Sequence, residues 1–235
     1  MRLRLDRRTL VAAGAAGALA HAYPAPAAIS PHARTALGIR GTVERQRAVG
    51  LTFDDGPHPQ GTGAVLERLA EGRGHATFFL VGEQVERRPG LAAEIVAAGH
   101  EVALHGHTHR CHLRLLSAQV EEDVRRGAAA IAEATGRPPR LHRPPFGLYS
   151  AATLRSVRKA GLEPVLWSRH GRDWSGLATP DSIARRLGTN VRAGEVLLLH
   201  DADHYGAEGS WRRTVAALPR LLEALARAQL EAVPA

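Results

Sequence analysis

The stretch LTFDDGPHP, residues Leu51–Pro59, is an apolar run that ends in two adjacent carboxylates, a glycine and a proline. Neighbouring side chains of a regular strand point to opposite faces of a sheet, so Asp54 and Asp55 should not reach one pocket while the strand continues. Gly56 and Pro57 are residues that break a strand. We therefore expect a strand to end here and both carboxylates to turn toward one site.

From about residue 40 onward, short apolar runs alternate with amphipathic segments. Strands are predicted at Ala48–Phe53, His75–Val81, Glu101–His105, Arg140–Arg143, Pro164–Ser168 and Glu195–His200. Helices are predicted at Thr62–Ala70, Gly90–Ala98, Ser117–Ala134, Ser150–Ala160, Pro180–Leu187 and Ser210–Gln229. This alternation predicts an α/β fold with parallel strands, either a doubly wound sheet or a β/α barrel. Because no long linker divides the 235 residues, we expect a single domain.

Ionisable residues follow the ends of the predicted strands. They are Asp54 and Asp55 after the first strand, His105 after the third, Arg143 after the fourth and His200 after the last. The carboxyl ends of parallel strands meet at one rim, where β/α barrels carry their catalytic groups. The pattern therefore predicts a functional site at that rim.

The segment HEVALHGHTHRCH, residues 100–112, contains a cluster of histidines. Four of them fall within eight positions, namely His105, His107, His109 and His112. His105 and His109 would lie on the same side of one helical turn, a spacing known from helical zinc sites. Alternatively, the first three could face one way along an extended strand. Gly106 favours a turn, and His112 with Cys111 is expected in a surface loop, as an alternative ligand at most.

Two imidazoles and one carboxylate would form a metal site that leaves a coordination position for water. A cation there would offset the repulsion between Asp54 and Asp55, so that one could bind the metal while the other stays free as a base.

These motifs resemble those of the polysaccharide deacetylases of the NodB-homology type, carbohydrate esterase family 4, from about residue 45 to the C-terminus. TFDDGP at Thr52–Pro57 resembles the first motif. His105–His109 resembles the histidine motif, although Gly106 stands where serine or threonine is usual. RPPFG at Arg143–Gly147 resembles the third motif, with Phe146 where tyrosine is frequent.

Two further motifs complete the resemblance. Asp173 and Trp174 resemble the second half of the fourth motif, with His170 where an aspartate is usual. LLLHD at Leu197–Asp201 resembles the fifth, and the loop after it, with His204 and Tyr205, could contact substrate.

The resemblance implies a single distorted (β/α) barrel of about seven strands, and it implies a role for each matching residue. The implied metal ligands are Asp55, His105 and His109, for Zn²⁺ or another divalent ion such as Co²⁺. The implied proton-transfer residues are Asp54 as general base and His200 as general acid, with Arg143 orienting Asp54 and Asp173 tuning His200. The implied substrate-binding residues are Phe146, through its backbone N–H, with Trp174 and Leu198 as walls of the acetyl pocket.

The implied activity is hydrolysis of N-acetyl groups on an amino-sugar-containing glycan, which releases acetate and a free amine. Peptidoglycan, chitin oligomers and other amino-sugar conjugates all fit as substrates. One alternative is another metal-dependent amidohydrolase, which would leave RPPFG and the Asp173–Trp174 pair unexplained. A second alternative is a non-catalytic carbohydrate- or metal-binding protein on the same fold, which should tolerate Asp54→Asn.

The basic charge is concentrated near the N-terminus. Residues 1–40 carry six arginines and one acid, which accounts for +5 of the net charge of +8. The rest of the chain is nearly balanced, so we expect no nucleic-acid partner. We also expect a monomer.

The first residues have the pattern of an export signal. Arg7 and Arg8 precede a mild uncharged stretch, Thr9–Ala20, which is typical of a twin-arginine signal. We predict an export signal at 1–27, a leader or linker at 28–44 and the deacetylase domain at 45–235. The expected location is extracellular or in the cell envelope, and otherwise cytoplasmic. No uncharged apolar run reaches the roughly 18–20 residues that span a bilayer.

Overall fold

The computed structural model describes residues 16–235, which contain one sheet of parallel strands. The strands are β1 (Ala48–Asp54), β2 (Thr77–Leu80), β3 (Glu101–Leu104), β4 (Leu141–His142), β5 (Glu163–Pro164), β6 (Arg169–His170), β7 (Val196–His200) and β8 (Glu231–Val233). Their order is β5-β4-β3-β2-β1-β7-β6, and β8 pairs with the first residues of β1. Because β5 and β6 are the two ends of this order, the curled sheet forms an open, distorted barrel, as predicted.

Helices surround the sheet. They are α1 (Pro31–Ala36), α2 (Gly61–Glu71), α3 (Gly82–Arg87), α4 (Pro89–Ala97), α5 (Ser117–Thr135), α6 (Ala151–Lys159), α7 (Pro180–Gly188) and α8 (Ser210–Arg227). The six predicted helices are all present with small shifts at their ends, whereas α1 and α3 were not predicted. The central strand β1 is buried along its whole length, as expected for a parallel strand covered on both faces.

One predicted strand is wrong for most of its length. Of Pro164–Ser168, only Pro164 belongs to a strand, and β6 begins after the segment. The backbone here pairs with Arg40 instead, since Arg40 N–H donates to the Pro164 carbonyl and Leu166 N–H donates to the Arg40 carbonyl. The apolar character of the segment reflects burial beneath residues that precede the sheet in the chain.

The segment that precedes β1 packs on the barrel. Ala27 and Ile39 are buried in a cluster with Tyr149 and Leu166. The Arg34 guanidinium donates from Nε to the Ala27 carbonyl at 3.0 Å and from Nη1 to the Trp167 carbonyl at 2.7 Å. The division into signal, linker and domain stays a prediction, and residues 1–15 of the predicted signal lie outside the described residues.

Across residues 16–235, none of the helices combines the length and the apolar character needed to cross a membrane.

The predicted rim is present at the carboxyl ends of the strands. Asp54 and His200 are the last residues of neighbouring strands and are paired in register. His105 directly follows β3, and Arg143 directly follows β4. Parallel pairing therefore brings residues from four distant parts of the sequence to one edge.

Candidate active site

Asp54 and Asp55 reach the same cavity because the chain changes direction between them. Asp54 ends β1, and Asp55 has a φ of 81°, in the left-handed region that is uncommon for residues other than glycine. This backbone conformation breaks the strand alternation that would separate the two carboxylates. Both line a cavity of about 330 Å³.

Asp55, His105 and His109 form a compact group in which one potential ligand atom from each residue lies within 4.8 Å of the others. Asp55 Oδ1 is 3.4 Å from His105 Nε2 and 3.3 Å from His109 Nε2. Burial raises the pKa of Asp55, but the facing imidazoles of His105 and His109 lower it more, to well below its usual range. The carboxylate is therefore ionised.

The tautomer of His105 suits metal binding. Its Nδ1 lies 2.9 Å from the Arg143 carbonyl oxygen. A carbonyl can only accept a hydrogen bond, so Nδ1 carries a proton, and Nε2 of the neutral ring is the nitrogen left for a metal ion. Asp55 Oδ1 is buried without a hydrogen-bond partner among the described residues. A lone pair and an unpartnered carboxylate oxygen that converge on one point fit a divalent cation.

The histidine loop is not helical, so the predicted helical-turn geometry is wrong. Gly106 has a φ of 79°, and residues 105–111 form an irregular loop that returns His109 to His105. The extended alternative is also wrong, since His107 points away, with its Nδ1 3.9 Å from Glu86. The expectation of a turn at Gly106 agrees with the structure.

Asp54 stays outside the ligand group. Arg143 Nη1 donates to Asp54 Oδ1 at 2.6 Å and to the Thr52 hydroxyl at 2.9 Å. Arg143 is fully buried, and its guanidinium lies 4.0 Å from the centre of the Phe79 ring. Asp54 Oδ2 is 3.9 Å from His105 Nε2, so one oxygen is held by Arg143 while the other faces the cavity.

The partly buried His200 and the buried Asp173 form a pair across the cavity. His200 Nδ1 lies 3.0 Å from Asp173 Oδ1, and the other Asp173 oxygen accepts from the His200 backbone N–H and from the Thr214 hydroxyl. Burial lowers the pKa of His200, but the carboxylates of Asp173, Asp55 and Asp54 raise it to about 10. These carboxylates therefore favour the protonated form of His200.

A family model described as polysaccharide deacetylase matches residues 42–165. The chain belongs to the polysaccharide deacetylase family. It is 39% identical over 201 residues to a chitooligosaccharide deacetylase of Bradyrhizobium sp. (strain ANU 289), which covers 83% of this chain and 91% of the relative. It is 34% identical over 182 residues to a peptidoglycan-N-acetylglucosamine deacetylase of Bacillus cereus (77% and 82% covered).

A solved structure supports the same family assignment. The family 4 carbohydrate esterase from Streptomyces lividans in complex with acetate has 35% identity and a TM-score of 0.72, with 80% of this chain and 92% of that chain covered. The motif resemblance and the NodB-like fold are thus confirmed. So is the enzyme class, a hydrolase of carbon–nitrogen bonds of the polysaccharide N-deacetylase type.

The structure brings the ten predicted site residues of this deacetylase together. Eight of them line the cavity: Asp54, Asp55, His105, His109, Phe146, Trp174, Leu198 and His200. Arg143 and Asp173 lie behind it as buried partners of Asp54 and His200. Their individual roles stay predictions.

Two aromatic residues complete the cavity wall. Tyr205, which the sequence only suggested as a contact, stacks on the His109 ring at 4.0 Å between centroids, and its hydroxyl donates to Glu83. Trp167 is not among the predicted site residues, because the sequence predicts a strand for its segment. A Cβ on Gly147 would lie 2.3 Å from the Trp167 ring, so this glycine lets the indole pack against the loop that carries Phe146.

His170 lies beside the cavity instead of in it. Its ring centroid is 5.3 Å from that of Trp174. Burial lowers the pKa of His170, with Arg172 and Arg186 acting in the same direction. This departure from the family pattern therefore places a neutral imidazole beside Trp174, a residue of the cavity wall.

Proposed function

We propose that this protein is a metal-dependent deacetylase that removes N-acetyl groups from an amino-sugar-containing glycan, releasing acetate and a free amine. The supporting observation is the separation of roles around one cavity. Asp55, His105 and His109 converge on one point of it, Asp54 stands next to them but outside the group, and His200 faces them.

Asp55, His105 and His109 would hold the metal, with Zn²⁺ as our first choice and Co²⁺ as an alternative for a site of two histidines and one carboxylate. When bound, such a cation supplies Lewis acidity to the acetyl carbonyl and lowers the pKa of water.

Asp54 is placed to accept the proton of the attacking water. Arg143 occupies one of its oxygens and fixes its direction, while the other oxygen faces the cavity. His200 then donates from Nε2 to the departing sugar amine, because its Nδ1 proton is engaged with Asp173. General acid–base catalysis of this kind contributes about 10²–10⁴-fold to the rate.

The remaining wall residues suit a small acyl group. We assign the Phe146 backbone N–H to the developing oxyanion, an interaction worth roughly 3–4 kcal/mol when well placed. Trp174 and Leu198 would enclose the acetyl methyl. A cavity of about 330 Å³ has room for one sugar ring with its acetamide.

The relatives named above act on chitooligosaccharides and on peptidoglycan. We therefore propose an N-acetylglucosamine-containing glycan as substrate. An extracellular or envelope location, as the N-terminal pattern predicts, is where such glycans occur.

The test is acetate release from a panel of chitooligosaccharides and peptidoglycan fragments. The wild-type protein should release acetate, and Asp54→Asn should lower kcat by about 10²–10⁴-fold while retaining the bound metal. The matched control is Glu122→Gln, since Glu122 is an exposed residue paired with Arg125.

No acetate from any glycan, or full activity in Asp54→Asn, would overturn the proposal. Acetate release that survives complete removal of divalent ions would contradict its metal dependence.

A further inference from the structure

The loop between the two ligand histidines is tied to helix α5 by one carboxylate. Asp123 is buried and accepts the His107 backbone N–H at 2.7 Å and the Thr108 backbone N–H at 3.1 Å. It also accepts the Thr108 hydroxyl at 2.7 Å. Only three residues separate His105 from His109, and two of them donate to this one side chain.

Asp123 is itself held rigidly. Its neighbours on α5, Val120 and Val124, are buried in the main core. His112 is fully buried, contrary to the expected surface loop, and places Nε2 3.4 Å from Asp123 Oδ2 and Nδ1 3.2 Å from the Thr153 hydroxyl. The carboxylate is thus fixed between α5 and α6 and does not line the cavity.

The charge of Asp123 matches this role. Burial raises its pKa, but the contacts from His112, Thr108 and the His107 backbone lower it well below the usual range. An ionised carboxylate is a stronger acceptor for backbone N–H groups than a neutral one.

Gly106 leaves the space that Asp123 occupies. A Cβ at residue 106 would lie 2.9 Å from Asp123 Oδ2, and the φ of 79° disfavours any side chain. The serine or threonine usual in this motif therefore does not fit the loop as it is built here. The Asp123 carboxylate thus lies where a side chain at residue 106 would begin.

We infer that Asp123 is a positioning residue of the metal site, which sets the distance between His105 and His109, and that Gly106 and Asp123 together replace the usual hydroxyl residue. This inference rests on the metal site proposed above. Residues that orient metal ligands change metal affinity or activity by about 10–100-fold when substituted.

The first test measures Zn²⁺ and Co²⁺ affinity of the metal-free full-length protein by competition with a chromophoric chelator. Asp123→Asn keeps the side-chain volume and removes the charge, and it should raise Kd by about 10–100-fold and alter the visible absorption of the Co²⁺ form. Glu122→Gln, one residue earlier on the same helix, should leave both unchanged.

Unfolding of the metal-free variants in urea separates positioning from general stability. A purely structural role predicts a lower stability with unchanged metal affinity, and this result would overturn the inference. If Asp123→Asn does not fold, Asp123→Glu provides the second variant. It keeps the charge and displaces it by one methylene, and an unchanged Kd in it would equally contradict the inference.

The second test is a double-mutant cycle with Gly106→Ser and Asp123→Ala. The backbone strain of Gly106→Ser is present in both backgrounds, so the cycle isolates its clash with the carboxylate. Gly106→Ser should weaken metal binding in the wild-type background and weaken it at least threefold less beside Asp123→Ala. Additive effects would contradict the exchange of roles.

Failure of the proposed function would look different. A wild-type protein that binds Zn²⁺ but releases no acetate would contradict deacetylation and leave the effect of Asp123 on metal affinity measurable.

Discussion

Two clusters at the carboxyl edge of the sheet have the same composition but different chemistry. Asp55, His105 and His109 form one, and His58, Asp203 and His204 form the other. Each contains two imidazoles and a carboxylate with ligand atoms within 4.8 Å of one another. Residue types and distances between ligand atoms alone therefore do not distinguish the two clusters.

The two clusters differ in the backbone groups that contact Nδ1 of His105 and Nδ1 of His58. Behind His105 lies a carbonyl, which holds a ring proton on Nδ1 and leaves Nε2 of the neutral ring as the acceptor. Behind His58 lie two N–H donors, from Gly61 at 2.8 Å and Gln60 at 3.2 Å, so Nδ1 must accept.

The proton of neutral His58 therefore sits on Nε2, which faces Asp203 Oδ1 at 3.3 Å. Burial lowers the pKa of His58, which favours this neutral form. The second cluster is consequently a polar contact between two loops, whereas the first has the arrangement that we propose as a ligand set. We therefore propose that the direction of the hydrogen bond at Nδ1 distinguishes the cluster that binds a cation from the one that does not.

The largest expected effect comes from His105→Ala. We expect metal binding to be lost and activity to fall by at least about 10³-fold, because the cation stabilises transition-state charge by several kcal/mol. Metal content by elemental analysis and acetate release measure the two effects. A variant that keeps its metal would show that the ligand set is wrongly identified.

An intermediate effect is expected when the two His–Asp pairs are compared. Asp173→Asn should lower kcat by about 10²-fold, since His200 loses the partner that keeps it charged. Asp173 raises the pKa of His200, and the donor must be protonated, so activity should be lost at a lower pH on the alkaline side than in the wild type. The measurement is a pH–rate profile.

Asp203→Asn is the matched control for Asp173→Asn, since Asp203 pairs with His58. It should change kcat by less than about threefold and leave the alkaline limb in place. An equal loss of kcat in the two variants would contradict the expectation that only the His200–Asp173 pair takes part in catalysis.

The smallest expected effect on metal binding comes from His58→Ala, the same change as at His105 but in the second cluster. Metal content and Kd should stay within about threefold of the wild type. The free energy of unfolding should fall by about 1–3 kcal/mol, because the Gly61 N–H and Asp203 lose a buried partner. Loss of a metal ion in this variant would show that the His58 cluster also binds a cation, and would contradict the distinction between the two clusters.

The sequence by itself determined the alternation of strands and helices, the rim and the ten site residues, of which eight line the cavity. This worked because parallel strands place their carboxyl ends on one edge, so the residues after each strand converge whatever the details of packing. This argument from strand ends covers Asp54, Asp55, His105, Arg143 and His200, and the histidine cluster added His109. The remaining four site residues came from the family resemblance alone, namely Phe146, Asp173, Trp174 and Leu198.

Other features were decided only by the tertiary structure. The left-handed Asp55, the carbonyl behind His105, the reach of Asp123 into the histidine loop and the packing of Trp167 were not predictable from local pattern. Each depends on a backbone torsion or on a contact between segments far apart in the chain. Local sequence says which groups are present near a site, whereas hydrogen-bond directions set by distant segments decide what those groups can do.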